Sequence, residues 1–324
     1  MKGRLKKRAE VIAMELNYTK DTKMQGGFPH ITKKGAITPC GEATPFTFNG
    51  RLYRLELSDP SRGLDRSADI TALIRDRETG EILSRFAGDC YYHSLYQEDG
   101  VVYVLGTKSN PPQFCGSTIM LYESRDLYNW TERELISNPG WLFYNTSLTK
   151  SPDGYVLCVE ASQPAEHVGI PFTVFFAASP DLVNWTWMDY EKGYPKHRYC
   201  GGPWMRWSRG YYYLILVTEL PCQRYTNYIF RTKDFDTWEV GYYNPILMPD
   251  DNDRLISPYN VDLSDELREG IKTGFISSNS DIDMCDWQGK TMITYIVGNQ
   301  LGFYYLAEAE YDGTVDDFLE AYFK

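Results

Sequence analysis

Apolar positions along this chain gather into short β-rich runs separated by turn residues, and the runs recur in a fixed order. Each copy opens on a polar or acidic segment and a short strand, turns at a glycine, and continues into an aromatic-rich strand. The copies are GEATPFTFNGRLYRLEL, YYHSLYQEDGVVYVLGT, YNTSLTKSPDGYVLCVE, GGPWMRWSRGYYYLILVTE and SDIDMCDWQGKTMITYIVG. Asn49-Gly50, Asp99-Gly100 and Asp153-Gly154 are strong hairpin signals. Aligning Gly50, Gly100, Gly154, Gly210 and Gly289 gives five units of roughly 45 to 80 residues. A second phrase follows the apolar runs STIMLYES, FTVFFAAS and TNYIFRTK. It reads Ser124-Arg-Asp-Leu-Tyr-Asn-Trp130, Ser179-Pro-Asp-Leu-Val-Asn-Trp185 and Thr232-Lys-Asp-Phe-Asp-Thr-Trp238. Its Asp suits a turn, because the carboxylate bonds backbone two residues on. Its Trp is expected to pack between neighbouring sheets.

Third strands are expected at Asp69–Arg75 in the first unit and Phe303–Ala309 in the fifth. Helix-start signals stand at Ser264 and Thr314. Four-stranded units arranged radially make a propeller, whereas two packed sandwiches leave a fivefold repeat unexplained. The expected fold is therefore all-β, a five-bladed β-propeller. No linker breaks the chain, so 1–324 is read as one domain, with 1–37 as an N-terminal extension packing on it.

Composition narrows the function classes. Hydrophobic content of 43% supports a sizeable core. A net charge of -11 lacks the basic footprint of a nucleic-acid binder. No apolar stretch approaches the ~20 residues of a membrane span. Seven Cys without a CxxC pair fit reduced thiols, and the N-terminus has no apolar signal-peptide core. A cytoplasmic location is the expectation. Tyr and Trp are abundant, which suits strands and also sugar-binding surfaces.

In a propeller the first strand of each blade lines the central channel, and the residues that start it converge on one mouth. Counting back from the turn glycines brings together Glu42 and Thr44, then Tyr92, His93 and Ser94. Asn145, Thr146 and Ser147 follow, then Arg198, Tyr199 and Cys200, and last Asp281 and Asp283. The next strands add Glu160 and Glu219. Paired carboxylates are what glycoside hydrolysis requires: one protonates the leaving oxygen, the other activates water or attacks the sugar. Glu160, Glu219, Asp281, Asp283 and Glu42 are thus the catalytic candidates. His93, Asn145, Arg198, Tyr92, Trp204 and Gln300 are the substrate-binding ones. Competing structural readings are a turn cap for Glu42 and an ion pair for Glu160. His93 lacks a metal-ligand partner at HxH or HExxH spacing. No metal is assigned and no cofactor is expected; structural calcium is compatible with such a channel, but no ligand spacing points to it.

These motifs resemble the five-bladed glycosidases of glycoside hydrolase families 43 and 117, over about residues 38 to 324. The Ser-x-Asp-Leu-x-Asn-Trp phrase is similar to that superfamily's blades. Ser280-Asp-Ile-Asp283, Trp287-Gln-Gly-Lys-Thr and Gly298-Asn-Gln are closer to family 117. The resemblance implies a glycosidase with its pocket in the channel mouth. It also implies an Asp-Pro base in blade one and a Glu-Gly-Pro acid in blade four. Here those places hold Thr44-Pro45 and Gly201-Gly202-Pro203, so the usual family 43 acids are absent. The expected activity is hydrolysis of a glycan-derived oligosaccharide or glycoside. The alternatives are a non-catalytic carbohydrate-binding propeller and a glycoside phosphorylase or transglycosidase.

Overall fold

The computed structural model describes residues 29–39, 41–58, 71–110, 113–299 and 301–324. Five four-stranded antiparallel sheets form a ring, each running from an inner to an outer strand. Blade I is β2 (Ala43–Phe48), β3 (Arg51–Ser58), β4 (Thr71–Asp76) and β5 (Ile82–Phe86). Blade II is β6 (Cys90–Glu98), β7 (Val101–Lys108), β8 (Thr118–Ser124) and β9 (Thr131–Ser137). Blade III is β10 (Leu142–Ser151), β11 (Gly154–Gln163), β12 (Thr173–Ser179) and β13 (Thr186–Trp187). Blade IV is β14 (Cys200–Ser208), β15 (Tyr211–Leu220), β16 (Arg224–Thr232) and β17 (Trp238–Val240). Blade V is β18 (Ser278–Trp287), β19 (Lys290–Gly298) and β20 (Tyr304–Tyr311), and its outer strand is β1 (Ile31–Thr38) from the other end of the chain. The last part of the expected N-terminal extension is therefore a strand of the ring; residues 1–28 lie outside the described residues. Two helices, α1 (Asp265–Thr273) and α2 (Val315–Ala321), start at the expected caps Ser264 and Thr314. Among the described residues no helix is long and apolar enough to cross a membrane.

The middle strands are buried on both faces, so alternate residues serve alternate neighbours. On β11, Leu157 and Val159 pack toward blade II while Val156 and Cys158 pack toward blade IV. On β15, Leu214 and Leu216 face blade III while Tyr213 and Ile215 face blade V. The recurring Asp builds the same tight loop three times. Asp126 Oδ1 accepts from the Tyr128 and Asn129 amides, and Asp181 and Asp234 repeat the arrangement. The Trp that follows packs between sheets: Trp130 of blade II stacks on Phe86 of blade I at 3.8 Å, and Trp238 of blade IV on Phe176 of blade III at 5.9 Å.

Four of the five blade interfaces are apolar. The fifth, between blades V and I, is largely ionic. Arg54 and Glu56 alternate with Tyr53 and Leu55 and so turn away from blade II. Glu56 takes Arg54 Nε at 2.7 Å and Arg75 Nε at 2.9 Å. Arg77 spans the seam as a two-pronged pair with Glu308 of β20, each bond 3.0 Å. The strand that closes the ring is pinned from within. Lys33 of β1, its side chain 5% exposed, donates to Asp253 Oδ2 at 2.8 Å, Asn279 Oδ1 at 3.0 Å and the Met248 carbonyl at 2.7 Å.

Removing one partner of such a pair leaves the other charge buried and alone, at a cost of about 3 kcal/mol or more. Lys33→Met is expected to lower the denaturation midpoint accordingly, and adding Asp253→Asn to restore part of the loss. Urea titrations of both proteins check this; an unchanged midpoint in the single variant would sink it.

Candidate active site

The inner strands are not regular at the mouth. In blades II to V each carries a two-residue bulge in register with the others. Tyr92-His93 stand opposite Gly106, Tyr144-Asn145 opposite Glu160, Gly202-Pro203 opposite Leu216, and Asp281-Ile282 opposite Tyr295. Tyr92, Gly202 and Asp281, the first residues of three of these bulges, have φ of 56°, 50° and 49°. A left-handed backbone costs a residue with a Cβ and persists where the surroundings enforce it. Bulges re-aim side chains, and here they turn His93, Asn145 and Asp281 into the channel. Blade I has no such shift, and Glu42 reaches the mouth from just ahead of β2.

Glu42, His93, Ser94, Asn145, Thr146, Gly202, Asp281 and Asp283 line one small cavity. Glu160 sits behind Asn145: its Oε2 accepts Asn145 Nδ2 at 3.0 Å and the Gly202 amide at 2.9 Å. Asp283 Oδ2 accepts the Thr44 hydroxyl at 2.7 Å. Burial pushes Glu160 up to about 7 against the pull of those two donors, with the Asp281 charge adding to the rise. Burial likewise raises Asp283 to about 7, opposed by the Thr44 bond and helped by Asp281. Asp281 is raised by its own burial. Among the described residues no cation pairs with Glu160, Asp281 or Asp283. Burial holds His93 down at about 4, so it is a neutral imidazole at pH 7, and neither ring nitrogen has a protein partner.

One glycine makes this packing possible, and a second faces the Glu160 carboxylate. A Cβ on Gly202 would stand 2.5 Å from Asp281 Oδ1. A Cβ on Gly201 would point at the Glu160 carboxylate, 3.6 and 3.7 Å from its two oxygens. A side chain longer than a methyl group at 201 would compete for the space that Glu160 fills from the neighbouring blade.

Of the residues expected from sequence, Glu42, His93, Asn145, Asp281, Asp283 and Glu160 come together. Tyr92 borders them, its hydroxyl raised by burial and by the charges of Glu42 and Glu160. Glu219 does not line the cavity. It stands nine residues after Gly210, where Glu160 stands six after the equivalent Gly154, and is exposed opposite Tyr225. Arg198 precedes β14 and gives its Nε to His197 Nε2 at 3.1 Å; among the described residues it forms no ion pair with the acids. Trp204 follows the blade IV bulge and faces a second cavity at the rear of the channel. Gln300 lies outside the described residues. Tyr144 and Phe172 are additions. Ring contacts run Tyr92–Tyr144–Phe172–Tyr199–Tyr225, from blade II to blade IV, with centroids 4.7 to 5.9 Å apart. Tyr144 was readable in the alignment, since it precedes Asn145 as Tyr92 precedes His93. Phe172 lies in a connecting loop with no repeat position to mark it.

No family model matches the sequence and no curated protein matches it. Solved structures do match its shape. A thermostable family-43 glycoside hydrolase aligns at a TM-score of 0.58 and 12% identity, covering 85% of this chain and 90% of that one. A glycosyl hydrolase from Bacteroides ovatus aligns at 0.54 and 14%, covering 85% of each. A family-43 endo-arabinanase from Bacillus licheniformis aligns at 0.52 and 11%, covering 87% and 96%. The chain shares the five-bladed propeller fold of solved family-43 glycoside hydrolases.

Proposed function

We propose that this protein is a glycoside hydrolase in which Glu160 and Asp283 form the acid/base pair. The observation that carries this reading is the burial of three carboxylates from blades III and V around one cavity with no cation among the described residues to neutralise them. Such an arrangement costs stability, and buried carboxylates of this kind cluster at functional sites. Two carboxyl groups poised near neutrality supply what glycoside cleavage asks for. One, protonated, hands its proton to the leaving oxygen; the other, ionised, activates water or attacks the anomeric carbon. The charge of Asp281 raises both. His93, neutral and without a protein partner, offers a donor and an acceptor to a sugar hydroxyl. The aromatic arc gives flat apolar faces on which a sugar ring packs. Water is the favoured acceptor over phosphate, because an anion would enter a cavity whose charged lining is acidic.

A panel of aryl and natural glycosides tests the activity, and absence of turnover with sugar binding intact would reject it. Glu160→Gln and Asp283→Asn should each lower kcat by roughly 10³-fold or more. With both groups near 7, the working state has one proton on the pair. The rate should peak near pH 7 and fall on either side.

The same variants carry a stability prediction. The native pKa of each group lies above its unfolded value, so between about 4 and 7 the native state holds more protons than the unfolded one. Stability from these groups is therefore present at low pH and lost as pH rises through about 7. At pH 8, Glu160→Gln and Asp283→Asn should melt above the unsubstituted protein, each by about 1 kcal/mol or more. Lower melting of both variants at pH 8 would contradict the assigned burial cost.

A further inference from the structure

The channel holds two spaces. Behind the acid cavity lies a rear chamber of about 370 Å³, walled by all five inner strands, with Thr47, Gln97, Lys150, Arg206 and Asp286 among its polar groups. Thr44 belongs to its wall. The Thr44 hydroxyl, on a residue 5% exposed, donates to Asp283 Oδ2, and Asp283 lines the acid cavity. The Thr44–Asp283 bond is where the two spaces meet. Its placement follows from the bulges: β2 alone among the inner strands runs without one, so Thr44 continues straight and reaches across the seam to β18.

We propose that Thr44 is the positioning residue of Asp283: it turns Oδ2 toward the rear chamber, leaves Oδ1 to the acid cavity, and joins the carboxyl proton to solvent behind the site. The proposal rests on the hydrolase reading for the purpose of that proton, though not for its geometry. A polar chamber of this size holds water. A hydroxyl has one donor and two acceptor positions, so Thr44 can accept from rear solvent while donating to Asp283. When the carboxyl needs a proton, the Thr44 hydroxyl passes its own to Oδ2 and takes one from protonated solvent behind it. The O–H bond of Thr44 is broken and re-formed, and the net change is one proton moved from rear solvent to Asp283. In the reverse direction a proton leaves without crossing a bound sugar.

The groups around Asp283 leave this bond a decisive role. Asp281 faces it from its own strand, Glu42 from the segment before β2, His93 from β6, and Cys285 stands behind. None is a cation at pH 7. Among the described residues the Thr44 hydroxyl is the side-chain donor to the Asp283 carboxylate, and it favours the ionised form.

The test compares Thr44→Val with Thr44→Ser, and Thr44→Ala serves if the Val variant does not fold. Asp283 is titrated by carboxyl ¹³C NMR in Asp-labelled protein, its resonance assigned with Asp283→Asn. Loss of the hydroxyl should raise the Asp283 midpoint by about one pH unit, and Thr44→Ser should return it. On a turned-over glycoside, Thr44→Val should lower kcat roughly tenfold with KM within about twofold, and move the pH profile upward with the NMR midpoint. An unchanged midpoint in Thr44→Val, or a Ser variant that behaves like Val, overturns the proposal. Absence of turnover on every glycoside rejects the hydrolase reading, while the NMR midpoint still decides the role of Thr44.

Discussion

Closure of the ring is the constraint on which everything else depends. An open row of five blades would expose the paired charges between blades V and I and enclose no channel. Here the outer strand of the last blade comes from the far end of the chain, and Lys33 holds it from inside by a buried bond to Asp253. Asp253 also takes the Tyr295 hydroxyl at 3.0 Å. β1, the connection from blade IV to blade V and the middle of blade V are thus tied at one point. The inner strands can then face one another at fixed distances. Ser147 and Thr149 of blade III accept the Met205 and Trp207 amides of blade IV at 2.9 and 2.8 Å. Those bonds satisfy backbone donors along the inner edges that the sheets leave unpaired.

Within that frame the bulges do the site's work. A regular strand would send alternate side chains up and down the blade faces. The extra residue at each mouth breaks this alternation and delivers side chains from four blades toward one volume. Burial then sets the electrostatics. It lifts Glu160 and Asp283 toward neutrality and keeps His93 uncharged, and the three effects have one cause. The Asn145 and Gly202 donors and the Thr44 hydroxyl temper the rise.

Much of this was legible in the sequence, and the limits have physical reasons. Turn glycines and the Asp-to-Trp phrase encode local geometry, so they marked the blades and their order. Cap residues Ser264 and Thr314 marked the two α-helices of the described residues for the same reason. Asn145, Asp281 and Asp283 were found by register from those turns. The pairing of β1 with β20 was not legible, because its partners are at opposite ends of the chain and each reads as an ordinary β-rich run. Trp204 lines the rear space instead of the acid cavity: it sits just past a bulge, and one extra residue changes which end of the channel a side chain meets. Arg198 was counted back beyond the start of β14, where strand register no longer applies.

Gly201 gives the arrangement a broader meaning. It faces a carboxylate from the adjacent blade, whose oxygens would stand 3.6 and 3.7 Å from a Cβ there. Where several strands point at one volume, a chemical group can be lost from one of them and supplied by its neighbour without moving in space. Roles in such a channel attach to a location rather than to a place in the repeat. Aligning blade against blade, or one ring against another, can therefore miss an intact acid because it has changed strands.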